Sequence, residues 1–139
     1  MTASAKTDLE AEIEAYGYDA RVIRKMALTA SAVLVLEQNL MLLRGADADN
    51  TASGLYRRIL QREATAQEVR LVFVCSFLGG GYDIEVAHWA ADRCFANDTA
   101  EILYGVARDF LKPFAGERQR PPAIDLLAHM ARKPRGLAA

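Results

Sequence analysis

Two histidines limit the acid–base and metal chemistry that this sequence offers. Glu85 and His88 form a Glu-x-x-His pair on one face of a predicted helix, the spacing found in di-iron carboxylate bundles. Such a site requires a second pair of the same kind and two further acids. A mixed ligand set would have to add Glu37, from a long apolar segment, together with Asp125 and His129 near the end of the chain.

The Glu85–His88 pair also has an ordinary structural explanation. Glu85 falls in the first turn of its predicted helix, where a negative charge is favourable. His88 is placed to pair with Asp92 one turn later. Because the ligand set is incomplete, we expect no metal and no other cofactor. A small metal- or cofactor-binding enzyme that uses Glu85 and His88 stays as the alternative.

Cys75 and Cys94 are the candidate nucleophiles, and both lie in apolar segments typical of buried free thiols. No Cys-x-x-Cys pair indicates zinc or redox chemistry. Cys94 follows His88 by six residues, about 600° of helical rotation, so the two side chains point to opposite faces. The sequence shows no nucleophile elbow, phosphate loop or dinucleotide pattern. We therefore predict no catalytic residue and no enzyme.

Three arginines, Arg57, Arg58 and Arg62, form a basic patch on and just after a short predicted helix. With the helix that follows they give a helix–turn–helix pattern. A recognition helix would offer polar side chains to base edges, whereas this second helix is rich in Val, Leu and Phe. The chain has 17 Lys and Arg against 18 Asp and Glu, and its basic excess is confined to residues 112–139. Nucleic acid is not the partner we expect, although a nucleic-acid-associated regulator that uses these arginines is a second alternative.

Composition and spacing predict an all-α fold. The chain contains 25 Ala and 16 Leu against 8 Val and 6 Ile, a balance that favours helices over strands. Capping boxes occur at Thr7 and Thr65, and further caps are predicted at Asp19, Ser53, Asp83 and Asp98. The predicted helices are Leu9–Tyr16, Asp19–Arg44, Leu55–Gln61, Ala66–Leu78, Ile84–Ala96, Asp98–Leu111 and Ala123–Arg132.

These elements predict a compact bundle of about six helices around the long Asp19–Arg44 helix. Leu71–Leu78 has enough Val and Phe for a buried strand, but the capping box before it favours a helix. Residues 1–112 are assigned to a helical domain. Residues 113–139 are assigned to a linker, a short C-terminal helix and a disordered basic tail of the same domain.

No segment predicts export or a membrane span. The first residues contain no hydrophobic signal core. The most apolar stretch, Met26–Leu43, carries Glu37, Gln38 and Asn39 at its middle, which indicates a buried helix. We therefore expect a soluble cytoplasmic protein.

The apolar content indicates what the domain does. Hydrophobic residues make up 52% of the chain, and the Asp19–Arg44 helix is apolar over more than one face. Such a helix has to be covered, either inside the fold or by another subunit. We therefore predict a non-enzymatic helical interaction module that serves as an adaptor, regulator or assembly factor and forms a homodimer. The predicted interaction residues are Val35, Leu36, Leu42, Arg57, Arg58 and Arg62.

Overall fold

The computed structural model describes Leu9, Ala11, Glu12 and residues 20–115, and within this part of the chain it contains helices and no strand. The six α-helices between residues 20 and 115 are α1 (Ala20–Ile23), α2 (Ala30–Arg44), α3 (Ala52–Leu60), α4 (Ala66–Gly79), α5 (Ile84–Asn97) and α6 (Ala100–Leu111). A 3-10 helix over Lys112–Phe114 follows α6. The predicted all-α fold class is confirmed.

Helix α4 is the centre of the bundle, and α2, α5 and α6 pack against it. It starts with the predicted capping box. The Thr65 hydroxyl accepts the Glu68 N–H at 3.2 Å, and the Glu68 carboxylate accepts the Thr65 N–H at 2.9 Å. Every residue from Val72 to Phe77 is buried, so this apolar helix is covered within the chain itself. The Leu71–Leu78 stretch is therefore helical, as predicted.

The expected continuous Asp19–Arg44 helix is instead two helices, because the chain leaves the helical path between α1 and α2. The Ala27 N–H donates to the Ser76 carbonyl of α4 at 2.8 Å, a bond across the fold that replaces a bond within a helix. Met26 and Leu28 are buried beside this bond. Thr29 then caps α2 by accepting the Ala32 N–H at 3.2 Å. Helix α4 lies at the centre of the bundle, whereas the sequence predicted the Asp19–Arg44 segment at that position.

Two glycines at the end of α4 permit this crossing. A Cβ at Gly79 would collide with the carbonyl oxygen of Ala27, and a Cβ at Gly80 would collide with that of Lys25. The colliding atoms are backbone atoms and cannot rotate away. The absence of a side chain at Gly79 and Gly80 therefore lets the segment between α1 and α2 lie directly on α4.

The starts of α5 and α6 agree with the sequence to within two residues. Asp83 caps α5 as predicted, accepting the Val86 N–H at 2.9 Å. The cap of α6 is Thr99, one residue after the predicted Asp98.

Helix α3 starts earlier than predicted, because Thr51 and not Ser53 is its cap. The Thr51 hydroxyl accepts the Gly54 N–H at 3.0 Å. The Ser53 hydroxyl donates to the Ala115 carbonyl at 2.8 Å, which ties the start of α3 to the chain beyond α6. Because Ser53 lies beside Ala115 and the end of α3 lies beside the middle of α6, the two helices are antiparallel.

The core is aromatic at its centre. Phe73 and Phe77 are fully buried, and the Phe73 ring packs edge-on against Phe95 with 5.2 Å between centroids. Two further aromatic residues, Trp89 and Phe110, are half-buried and pack against it.

The capping box at Thr7, most of the Leu9–Tyr16 helix and the predicted elements beyond Ala115 lie outside the described residues. Leu9 is fully buried against the core. Among the described residues, no helix is long and apolar enough to cross a membrane.

Candidate interaction surfaces

One face of α2 is directed away from the bundle and is largely apolar. Its fully buried positions, Val33, Leu36 and Leu40, lie on the opposite face. Because Leu36 belongs to the core, it is not available as the surface residue that the sequence predicted. The α2 outer face, as we call it, consists of Ser31, Leu34, Val35, Gln38, Met41 and Leu42.

The apolar side chains of the α2 outer face become more exposed toward the end of the helix. Val35 is half-buried, Met41 is 50% exposed and Leu42 is 85% exposed. The neighbouring Leu43 adds a further side chain that is 43% exposed. The predicted interaction residues Val35 and Leu42 thus lie on one continuous apolar strip.

No charged side chain interrupts this strip, because the only charged residues of α2 are Glu37 and Arg44. Glu37 is buried on the other side, where its Oε2 accepts the Ala52 N–H at 2.9 Å and holds the start of α3 against α2. Arg44 lies at the last position of the helix and contacts Glu68. An uncharged exposed helix face of this kind is unusual for a surface that remains in water.

Glu68 is the anchor of an arginine cluster where α2, α3 and α4 meet. Its Oε2 lies 2.5 Å from Arg58 Nη2 and 3.5 Å from Arg44 Nη1. Burial acts to raise the pKa of Glu68. The hydrogen bonds from Thr65 and Arg58 and the charges of Arg58 and Arg44 outweigh that effect, so the pKa is lowered from 4.5. Glu68 is thereby held in its charged form.

The same arginines hold the loop between α2 and α3. Arg58 Nη1 donates to the Asp49 carbonyl at 2.9 Å, and Arg57 Nη2 pairs with Asp49 Oδ2 at 2.6 Å. The hydrogen bond from the Thr51 hydroxyl lowers the pKa of Asp49, and the charges of Arg57 and Arg58 add to it against the effect of burial. The residues enclose a small cleft of about 270 Å³.

These contacts change the meaning of the predicted basic patch. Arg57 and Arg58 pair with Asp49 and Glu68, so both stabilise the fold locally. The sequence does not predict the Arg58–Glu68 pair, because the two residues are ten positions apart and Glu68 also belongs to the capping box. Only the turn after α3 brings the two side chains together.

Arg62 differs from the other two arginines. It lies in the turn after α3 and lines an open groove of about 550 Å³ between the end of α3 and α6. No hydrogen bond or ion pair links its guanidinium to another described residue. Of the three predicted arginines, Arg62 is therefore the one whose charge remains available at the surface.

The candidate metal ligands Glu85 and His88 do not form a centre. Arg70 donates from Nη2 to His88 Nδ1 at 3.0 Å and from Nε to Asp92 at 2.6 Å, so it bridges the two residues that were predicted to pair directly. Since an arginine only donates, His88 Nδ1 is the acceptor of this hydrogen bond. Glu85 is exposed. Residues 20–115 contain no group of three His, Cys, Asp or Glu side chains that could hold a metal ion, and Asp125 and His129 lie outside the described residues.

Both cysteines are buried and neither is in a disulfide, as predicted. Burial raises the pKa of the Cys75 thiol to about 12, which removes the thiolate that a nucleophile needs at neutral pH.

Comparison with known proteins gives no functional assignment. No protein-family model matches the chain, and no curated protein or solved structure is significantly similar to it. Function therefore has to be inferred from the surfaces themselves.

Proposed function

We propose that the protein is a non-enzymatic helical interaction module that forms a homodimer through the α2 outer face. The observation that carries this proposal is the 85% exposure of Leu42 within an uncharged apolar strip. Complete burial of one leucine side chain contributes roughly 1.5–3 kcal/mol. An exposed strip with several such residues usually marks a contact site.

A second copy of the chain is the simplest occupant, because a two-fold axis pairs the same surface with itself. Gln38 lies at the middle of the strip. An antiparallel pair of α2 helices centred on Gln38 would place Leu42 opposite Leu34 and Met41 opposite Val35. The two Gln38 side chains would then meet at the axis and hydrogen-bond to each other. Every apolar residue of the strip thus acquires an apolar neighbour.

The antiparallel arrangement is preferred to a parallel one on electrostatic grounds. Parallel helices place their macrodipoles side by side with the same orientation, whereas antiparallel helices oppose them. Arg44 would also lie far from its own copy in the antiparallel pair. We therefore propose a role as an adaptor, regulator or assembly factor that acts as an antiparallel dimer.

Leu42→Asp tests the interface. Because Leu42 is 85% exposed, its replacement leaves the core intact and should yield folded monomer. Wild-type protein should sediment as a dimer at micromolar concentration. The matched control is Ile84→Asp, which adds the same charge at an apolar residue that is 49% exposed in the first turn of α5. This control should remain dimeric. A wild type that sediments as a monomer throughout the micromolar range would overturn the proposal.

Cysteine crosslinking tests the orientation of the two copies. Leu34→Cys protomers mixed with Leu42→Cys protomers should form an oxidised pair, since the antiparallel arrangement brings these positions together. Each variant alone should crosslink poorly. Efficient crosslinking of Leu42→Cys with itself would show a parallel arrangement instead.

The alternatives have less support. Arg70 donates a hydrogen bond to His88 Nδ1, which argues against a metal enzyme that uses Glu85 and His88. Asp49 and Glu68 engage Arg57 and Arg58, which argues for a protein partner over nucleic acid. We propose a cytoplasmic location because neither cysteine is in a disulfide, which suits a reducing compartment.

A further inference from the structure

We propose that the groove between the end of α3 and α6, the α3–α6 groove, binds an acidic amphipathic helix of a different protein. This groove shares no residue with the α2 outer face, so the inference goes beyond self-association and does not depend on it. A dimer would carry two such grooves.

The walls of the groove come from two antiparallel helices. One face of α6 supplies Glu101, Tyr104, Gly105 and Arg108, at the spacing that usually contacts another helix. The end of α3 and the following turn supply Ile59, Leu60, Arg62 and Ala64. The Tyr104 hydroxyl donates to the Ala64 carbonyl at 3.0 Å and fixes the two walls together. The groove is therefore preformed.

Gly105 is an unfavourable choice for the interior of a helix. A Cβ at this position would meet no atom within 4 Å, so neither packing nor backbone conformation within the fold explains the glycine. Its effect is to leave space in the floor of the groove. A bulky apolar side chain from outside would fill that space beside Leu60, which is 52% exposed.

Arg62 is the second unfavourable choice. It has a φ of 60°, the left-handed conformation that favours glycine. The Arg62 N–H bonds to the Ile59 carbonyl and the Glu63 N–H bonds to the Arg58 carbonyl, a Schellman motif with arginine where glycine is usual. Backbone strain of this kind is often retained where a side chain has a function.

Gly105 and Arg62 are distant in the sequence but line the same groove. The charges of the groove indicate what binds there. Among the lining residues, Arg62 and Arg108 outnumber Glu101. Arg108 is paired with the neighbouring Asp109 at 3.2 Å, so Arg62 supplies the positive charge that favours an acidic ligand. Glu101 lies near the start of α6 and Arg108 near its end. A helix antiparallel to α6 would therefore place its acidic first turn beside Arg108 and a basic last turn beside Glu101, as its own macrodipole favours. The groove is open along its length, which suits a helix better than a small molecule that must be largely enclosed.

Selection from a display library of helical peptides against the full chain tests the proposal. Enriched peptides should carry acidic residues in the first turn and bulky apolar residues at i, i+3 or i+4, and i+7. Gly105→Leu fills the floor of the groove and should weaken binding at least about tenfold, as loss of a central anchor does. Arg62→Gly should weaken binding several-fold and make it less sensitive to salt.

Both variants are expected to raise the Tm, since leucine favours the helix and glycine relieves the strained turn. Loss of binding with a higher Tm cannot be attributed to unfolding. Lys112→Gln removes one exposed cation outside the groove and should leave binding unchanged, as should Leu42→Asp. A selection that enriches no peptide, or peptides that bind Gly105→Leu as tightly as wild type, would overturn the proposal.

Discussion

Glu68 has two roles at once. Its Oε1 completes the cap of α4 and its Oε2 holds Arg58, while the residue itself is only 3% exposed. A buried carboxylate paired in this way is strongly coupled to its partners, because loss of one charge leaves the other without compensation. The meeting point of α2, α3 and α4 therefore depends on the ionisation of one side chain.

We predict that Glu68→Gln lowers the free energy of unfolding by about 3 kcal/mol at neutral pH, because Arg58 and Arg44 lose their buried counter-charge. In the wild type the pKa of Glu68 is lower in the folded state than its ordinary 4.5. Its contribution is therefore complete above pH 4.5 and is lost as the pH falls below that value through the folded pKa. Urea unfolding at a series of pH values measures both effects.

The free energy of unfolding of Glu68→Gln should decrease less at acidic pH than that of the wild type, since the titrating group has been removed. Glu101→Gln is the matched control, because Glu101 is exposed at the start of α6 and has no ion pair with another described residue. Equal stability of Glu68→Gln and wild type at pH 7 would show that the ion pair of Glu68 with Arg58 makes no net contribution to the free energy of unfolding.

At the scale of the element, the glycines at positions 79 and 105 have different physical explanations. Gly79 is required by the close approach of the Ala27 carbonyl at the end of α4, whereas nothing in the fold requires Gly105 in α6. The same substitution should therefore have opposite effects at the two positions.

We predict that Gly79→Ala lowers the free energy of unfolding by roughly 1–3 kcal/mol, because the added methyl group displaces the backbone between α1 and α2. Gly105→Ala should raise it by about 0.5–1 kcal/mol through helix propensity alone. Thermal unfolding of the two variants beside wild type checks the signs. A stabilised Gly79→Ala would mean that the crossing segment is not packed against α4 as described.

The same contrast explains what the sequence could predict about the elements. The caps at Thr65 and Asp83 depend on residues within the same turn, so the local pattern was sufficient. The interruption before α2 depends on the Ser76 carbonyl, which meets the Ala27 N–H only in the folded chain. Local helix propensity predicted a continuous helix there and was overridden by that tertiary contact.

The surfaces were predictable to different extents for the same reason. The apolar content of α2 predicts surplus apolar surface, and Leu42 is exposed. A helix that is apolar on several faces does not reveal which face is buried, so the sequence groups Leu36 with Leu42 although Leu36 is buried. The α3–α6 groove could not be predicted, because Arg62 and Gly105 meet only through the antiparallel packing of α3 and α6.

At the scale of the whole molecule, the apolar excess divides into two parts. The centre of the bundle accounts for α4, which α2, α5 and α6 cover. The α2 outer face remains. Helix α2 has 15 residues and is therefore roughly 22 Å long. One pair of such helices buries less than the roughly 800 Å² per partner of a standard interface, so we expect weak association with micromolar affinity.

Such a weak dimer can be detected from its thermal unfolding, without a structure of the dimer. If the folded state is dimeric, dilution favours unfolding, and the Tm depends on protein concentration. A tenfold increase in concentration stabilises the dimer by about 1.4 kcal/mol, or about 0.7 kcal/mol for each protomer, which corresponds to an increase in Tm of about 3 °C for a chain of this length. We predict this increase for wild type above the dissociation constant and none well below it. Leu42→Asp should have the lower Tm of the dilute wild type at every concentration, whereas Ile84→Asp should retain the concentration dependence. Differential scanning calorimetry over two decades of concentration makes the measurement. A wild-type Tm that stays constant while Leu42→Asp remains folded would show that the exposed strip on α2 is not a self-association surface.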